Sequence, residues 1–308
     1  MKKKKKEYPY KTRGSELHYL YEIISNKTTG IDVDKMDYMA RDSKALGVPI
    51  MFDFDRFVEA GEPIVVDDPL FQDSDIIVKR IAVRDKVVKN VQHLYQDRTN
   101  LHSSAYQHKT STVFDRMYLD LWGLADMFIT VAGRNGNKLV LSEAHQDEVA
   151  LARLTDDWLH QTIRNSTSGD LEPARDLLRR IDQRQLYKIV AHIENTEIRA
   201  EACDDELNKL SPTPGILAVV KVKIQMVKGG RNPVEDMLFY EKGTQTGQKK
   251  TSEELKRFVP QEISHQELLV LAKEPGKATE VARVVREWVG GKGTLAEGWR
   301  VRFPGAET

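Results

Sequence analysis

Residues 85–128 run without proline and without glycine until Gly123, and their apolar positions Val87, Val91, Leu94, Leu101, Ala105, Val113, Met117 and Leu121 mostly step by three, four or seven. That spacing keeps one stripe of a 3.6-residue helix apolar. It predicts one long helix or two consecutive ones. Segment 32–46 reads the same way and is followed by Phe52-Asp-Phe-Asp-Arg-Phe57, a short strand or a helical turn. Helical patterns return at 145–164 and 172–184.

The remaining segments carry β signals. Residues 62–83 hold Pro63, paired aspartates and then Ile76-Ile-Val-Lys-Arg-Ile-Ala-Val83, whose β-branched content predicts a hairpin or short sheet. Gly133-Arg-Asn-Gly136 stands between Phe128-Ile-Thr-Val-Ala and Lys138-Leu-Val-Leu, and Asn-Gly between β-prone runs predicts a hairpin near 128–142. Beyond 190, Ile216–Met226, Met237–Tyr240 and Leu268–Leu271 read as strands and Lys277–Val289 as a closing helix. The fold class that follows is mainly α with a smaller α+β C-terminal part. Its expected divisions are a basic tail at 1–10, a helical domain at 11–190, an α+β lobe at 191–303 broken at Ser211-Pro-Thr-Pro-Gly215, and a tail at 304–308.

The 308 residues are 40% hydrophobic and 31% charged, enough apolar material for one large or two modest cores. Lys and Arg number 47 against 47 Asp and Glu, so no global basic field argues for indiscriminate nucleic-acid binding. Any anion site must be local. The single cysteine, Cys203, excludes an internal disulfide and a thiolate zinc cluster, and reads as an ordinary thiol in a reducing compartment. No apolar run approaches the roughly 20 residues that span a bilayer. The Lys2–Lys6 run is a solvated tail or a nuclear import patch.

Two polar faces stand out. In Gly30-Ile-Asp-Val-Asp-Lys-Met-Asp-Tyr-Met-Ala-Arg-Asp42, Asp34, Tyr38 and Asp42 recur at i, i+4 and i+8, with Lys35 one step around. A helix puts these three on one face, able to hold a metal and a polyanion together. Arg98, His102 and Tyr106 repeat the spacing, with Gln107 beside them. Guanidinium and ammonium groups suit phosphate oxygens, a tyrosine ring suits a sugar or base, and Gln or Asp can read hydroxyls. The plainer reading is that Asp32 or Asp34 caps a helix and that the rest is surface charge with a core histidine. Gly290-Gly-Lys-Gly-Thr294 follows a helix, and its lysine lacks the adjoining Ser or Thr of a phosphate loop. It reads as a flexible tail.

The Tyr-Leu-Tyr-Glu-Ile-Ile-Ser-Asn-Lys run at 19–27, the Gly30–Asp42 segment and Arg98-Thr-Asn-Leu-His-Ser-Ser-Ala-Tyr-Gln-His-Lys109 together resemble the SAM and HD domain-containing deoxynucleoside triphosphate triphosphohydrolases. The resemblance runs from Tyr8 to about Trp288, includes Arg231-Asn-Pro-Val-Glu-Asp-Met-Leu-Phe-Tyr240, and implies the second half of an HD-type helical domain. By this resemblance Asp34 matches the last metal-ligating aspartate, Lys35, Tyr38 and Arg98 match triphosphate contacts, and Asp42 matches the contact to the sugar 3′-hydroxyl. Tyr106 and Gln107 match residues lining sugar and base, with His102 in the same pocket. Arg56, Arg84, Lys86, Asn90, His108 and Lys109 resemble contacts to an activating deoxynucleotide, and Arg184 and Lys188 resemble contacts to a guanine-nucleotide activator. Read without the resemblance, Lys86/Asn90 and Arg184/Lys188 are i, i+4 pairs on solvated helix faces. Ser103 and Ser104 stand where the family tends to carry arginines, and Ala60 replaces a bulky aromatic.

The resemblance further implies a divalent metal (Zn, Fe or Mg), GTP and dNTP as activators, dNTP substrates, a homo-oligomer that is tetrameric in the family, and possible single-stranded nucleic acid. Apart from the resemblance, the expected compartment is the nucleus, with the cytoplasm as the alternative, and no membrane partner is expected. An HD hydrolase needs a His…His-Asp…Asp set, and the dipeptide His-Asp occurs nowhere in this sequence. The expectation is therefore a chain resembling a triphosphohydrolase that begins partway through its catalytic domain, without a SAM domain, holding no stable metal and inactive alone. A non-catalytic regulatory or oligomerisation partner and a single-strand-binding module are the alternatives.

Overall fold

The computed structural model describes residues 14–66, 78–194, 198–225, 233–255, 264–293 and 298–304. Lys2–Lys6, Ile76 and Ile77 of the expected strand, Met226, Arg231 and Asn232, Thr294 and the tail beyond Pro304 lie outside these residues. The fold is mainly α with a smaller β part, as the patterning predicts. It divides into two compact units, one of Met1–Gln107 with Lys223–His265 and one of His108–Val222 with Gln266–Thr308. The strand-rich character after about 190 is present in the order of elements, but the units do not follow a division there. A short strand near 240 pairs with one near 82 and draws residues 223–265 back to the first unit.

In the first unit, α1 (Tyr19–Ile24) leads to α2 (Val33–Leu46) and α3 (Phe54–Glu59). Asp32 caps α2 by accepting from Lys35 N at 3.1 Å, and Gly47 ends it at φ 67°, the left-handed conformation that glycine adopts without strain. Asp53 caps α3 in the same way, so the 52–57 segment turns helical from Phe54. Strands β1 (Gly61–Val66) and β2 (Val78–Arg84) pair antiparallel, as the β-branched run predicts, and β7 (Leu238–Tyr240) adds to β2 in parallel. Then comes α4 (Val88–Leu101). Its stripe of Val88, Val91, Leu94, Tyr95 and Leu101 is buried with Met39, Phe52, Phe57 and Phe239. The chain then makes a π turn, His102–Tyr106, in which Gln107 N donates to His102 O at 2.7 Å.

In the second unit, α5 (Lys109–Ala125) completes the long helical stretch, so residues 85–128 are two helices. A hairpin of β3 (Thr130–Ala132) and β4 (Lys138–Val140) turns through Asn135 at φ 59° and Gly136 at φ 77°, which is what Asn-Gly supplies. The expected helix at 145–164 is two, α6 (Glu148–Arg153) and α7 (Asp156–Asn165), because Thr155 caps the second by accepting from Trp158 N. Next follow α8 (Glu172–Asp182), β5 (Lys188–Glu194), α9 (Ala200–Leu210), β6 (Leu217–Gln225), β8 (Ser264–Ala272), α11 (Ala278–Gly291) and β9 (Arg300–Arg302); α10 (Ser252–Leu255) belongs to the first unit. The sheet order is β6-β8-β5-β9, and its core includes Ile193, Cys203, Leu207, Leu268, Val281 and Trp288. Burial of Cys203 pushes its thiol up to about 12, leaving an unreactive side chain.

Candidate functional site

The loop that enters α2 is built before the helix begins. Asn26 Oδ1 accepts from Thr28 N and Thr29 N, Thr29 Oγ1 accepts from Ile31 N, and the buried Tyr95 hydroxyl of α4 donates to Thr29 O at 2.8 Å. The loop that leaves α2 is held from the same helix. Asp97, 1% exposed, accepts from both Met51 N and Phe52 N at 2.8 Å through one oxygen. Helix α4 thus holds α2 at both ends.

Between those anchors the two polar faces meet. Tyr106 donates its hydroxyl to Asp42 at 2.5 Å, and its ring lies edge-on to Tyr38 at 6.2 Å and to His102 at 5.0 Å. Tyr38 also hydrogen-bonds Arg98. The Lys35 ammonium donates to Gly30 O. Because Asp32 is the helix cap, Asp34 is left exposed on the first turn.

The pocket sets the Lys35 and Arg98 cations beside Asp32, Asp34 and Asp42. Burial and then Arg98 lower the Lys35 pKa, with Asp32 and Asp34 only partly offsetting them. Burial, Arg98 and Lys35 hold His102 down at about 4, so its ring is neutral near pH 7. Asp42 is held below the usual carboxylate range chiefly by the Tyr106 hydroxyl, and Tyr106 is correspondingly pushed up by burial and by Asp42. An added anion would relieve the repulsion between Lys35 and Arg98.

Behind the first turn of α2 is a cavity of about 300 Å³ lined by Ile23, Val33, Met36, Phe57, Ile81 and Met237 among others. Three of its polar members are already bonded: Glu22 to Arg80 and Ile81 N, Asn26 to Thr28 and Thr29, and Glu62 to Tyr240.

The residues matched to activator contacts are placed differently. Arg56 and Lys86 are exposed, with Arg56 Nη2 3.4 Å from Lys86 O, and the Arg84 guanidinium lies over the Tyr240 ring at 5.9 Å. Asn90 is buried, and its amide both accepts from Asp53 N and donates to Asp53 O. It fastens α3 to α4, so Lys86 and Asn90 do not form a shared solvated face. In the second unit His108 caps α5 and Lys109 is exposed. Arg184 and Lys188 are not on one helix. Helix α8 ends at Asp182, Arg184 follows at φ 56° with Gln185 N donating to Arg180 O, and Lys188 opens β5. The alternating Lys188-Ile-Val-Ala-His-Ile193 run carries the strand signal that a four-residue spacing overlooks.

Ser103 and Ser104 are exposed in the π turn, and Ala60 is buried at the end of α3. The scaffold residues Tyr95 and Asp97 went unmarked in the pattern. Asp97 had a signal: it sits between Leu94 and Leu101 on the apolar stripe of α4, where an acid must be bonded.

A divalent ion needs several protein ligands within bonding reach. Among the described residues Asp34 belongs to no group of three or more His, Cys, Asp or Glu side chains whose ligand atoms lie within 4.8 Å of one another. The residues described around it do not fit a metal site.

No family model matches the chain. The deoxynucleoside triphosphate triphosphohydrolase SAMHD1 of Homo sapiens is 35% identical over 282 residues, 87% of this chain and 44% of that protein. By sequence, the chain is a relative of the SAMHD1 triphosphohydrolases. The Mus musculus protein is 33% identical over 294 residues, and the SAMHD1 homolog of Dictyostelium discoideum is 27% identical over 287 residues, 90% of this chain and 51% of its own length. The chain thus spans about half the length of the relatives it matches. No helix among the described residues is long and apolar enough to cross a membrane.

Proposed function

We propose that this chain supplies one wall of a deoxynucleoside triphosphate site and binds such nucleotides without hydrolysing them on its own. The observation that carries this is the meeting of the α2 and α4 faces, closed by the Tyr106 to Asp42 bond, around the Lys35 and Arg98 cations. Lys35 and Arg98 would take phosphate oxygens, the Tyr38 and Tyr106 rings would flank the sugar, and Asp42 would exchange the Tyr106 hydroxyl for a sugar hydroxyl. Gln107 and His102 would line the base side. The triphosphate as ligand is that of the SAMHD1 relatives, and the proximity of the Lys35 and Arg98 cations supports it.

Hydrolysis would need a metal-activated water, and Asp34 by itself cannot fix a divalent ion in a reactive geometry. Losing general acid catalysis alone typically costs about a hundred- to ten-thousand-fold. Arg56, Lys86, Lys109, Arg184 and Lys188 are exposed cations suited to activator nucleotides or to partner copies. The test is triphosphate release from dGTP, with activator and divalent metal present, by the chain and by Asp34→Ala. Neither should release triphosphate above buffer. Release that Asp34→Ala abolishes would overturn the non-hydrolytic reading.

A further inference from the structure

The π turn gives His102 and Gln107 a relation that α-helical spacing would not. Residues five apart in an α-helix are rotated about 140° from one another. Here the Gln107 N to His102 O bond of 2.7 Å closes a wider ring, and Gln107 Nε2 comes within 3.4 Å of His102 Nδ1. Single-turn π segments of this kind occur often at functional sites. With the amide nitrogen facing the ring, Gln107 donates, Nδ1 holds the lone pair and the ring proton sits on Nε2. Tyr106 packs edge-on against the same ring at 5.0 Å and restricts its rotation.

We propose that Gln107 is a positioning residue that fixes His102 as the neutral Nε2–H tautomer, making it a hydrogen-bond donor to a nucleotide oxygen and not an acid for a leaving group. The groups around the ring agree with that role. Burial disfavours a second ring proton, and Arg98 from α4 and Lys35 from α2 do the same. A neutral donor beside Lys35 and Arg98 adds direction without adding charge. The nucleotide as acceptor rests on the function proposed above; the tautomer does not.

The experiment is a nitrogen-15 histidine correlation spectrum of the full chain near neutral pH without nucleotide, with His102→Gln identifying the His102 signals. The unsubstituted chain should show His102 with its proton on Nε2. Gln107→Leu should give a mixed pattern, and Gln107→Glu, whose carboxylate accepts, should move the proton to Nδ1. A proton on Nδ1 in the unsubstituted chain, or an Nε2–H pattern unchanged in both variants, overturns the assignment. Adding dGTP then separates the two readings. A shift of the His102 Nε2–H signal supports the donor role, and dGTP that moves no signal sinks the nucleotide reading while the tautomer result stands.

Discussion

Asp97→Ala should be among the most damaging single substitutions in the first unit, and Asp97→Asn should be nearly silent. One buried oxygen of Asp97 takes both Met51 N–H and Phe52 N–H at 2.8 Å, holding the α2–α3 loop to α4. Burial raises the folded-state pKa of this carboxyl, the two N–H bonds only partly offsetting it. An acid whose folded pKa is raised binds more protons folded than unfolded, so its contribution to stability falls as pH rises from the unfolded pKa through the folded one. At neutral pH the charge is a cost, and the acceptor is what stabilises. Asn can place its carbonyl oxygen at the same point and keep both bonds, for a change within about 1 kcal/mol. Ala removes both bonds and leaves the Phe52 N–H buried without an acceptor, for a loss of about 3 kcal/mol. For a unit of this size that is a fall in Tm of roughly 6–12 °C. Thermal melts followed by far-ultraviolet circular dichroism, with amide exchange of the 48–58 segment, would measure it. An Asn variant as unstable as the Ala variant would refute the argument, since charge and not the acceptor would then be doing the stabilising.

Other expectations follow from single contacts. Asp32→Ala should cost about 1 kcal/mol as a lost helix cap while Asp34→Ala changes stability by less than about 0.5 kcal/mol, and urea unfolding of the two variants separates the capping acid from the exposed one. Tyr95→Phe should cost about 1 kcal/mol and speed amide exchange at 26–33, because Thr29 O loses its buried donor. His102, held at about 4, binds fewer protons folded than unfolded, so stability is full above the ordinary histidine pKa near 6.5 and is lost as pH falls from there toward 4; His102→Gln should flatten that part of the pH–stability curve. Cys203 should react with a thiol reagent at pH 8 only after urea is added.

The first polar face was legible because it was written in a helix period that the fold kept. Asp34, Tyr38 and Asp42 share an uninterrupted α2. The second trio was legible only in part: Arg98 is in α4, but His102 and Tyr106 belong to the π turn, whose wider ring leaves no mark in three- and four-residue spacings. Gln107 owes its place to that turn. The hairpin was readable from Asn-Gly because only a few residue types tolerate positive φ. The i, i+4 readings of Arg184/Lys188 and Lys86/Asn90 went astray for different reasons. A strand begins between the first two, and Asn90 is spent on the Asp53 backbone. Grouping of the elements into units was the least legible level, since a three-residue parallel pairing of β2 with β7 depends on contacts far apart in sequence.

The facing sides of α2 and α4 should bind a nucleotide triphosphate through Lys35 and Arg98. Titration of the chain with dGTP, followed by calorimetry at low and at high salt, measures this. Binding should be weak, and Lys35→Ala or Arg98→Ala should lower it by about tenfold or more. Binding should fade as the screening length drops from about 10 Å at 0.1 M to about 3 Å at 1 M. No binding at low salt, or binding that survives both substitutions, would contradict it.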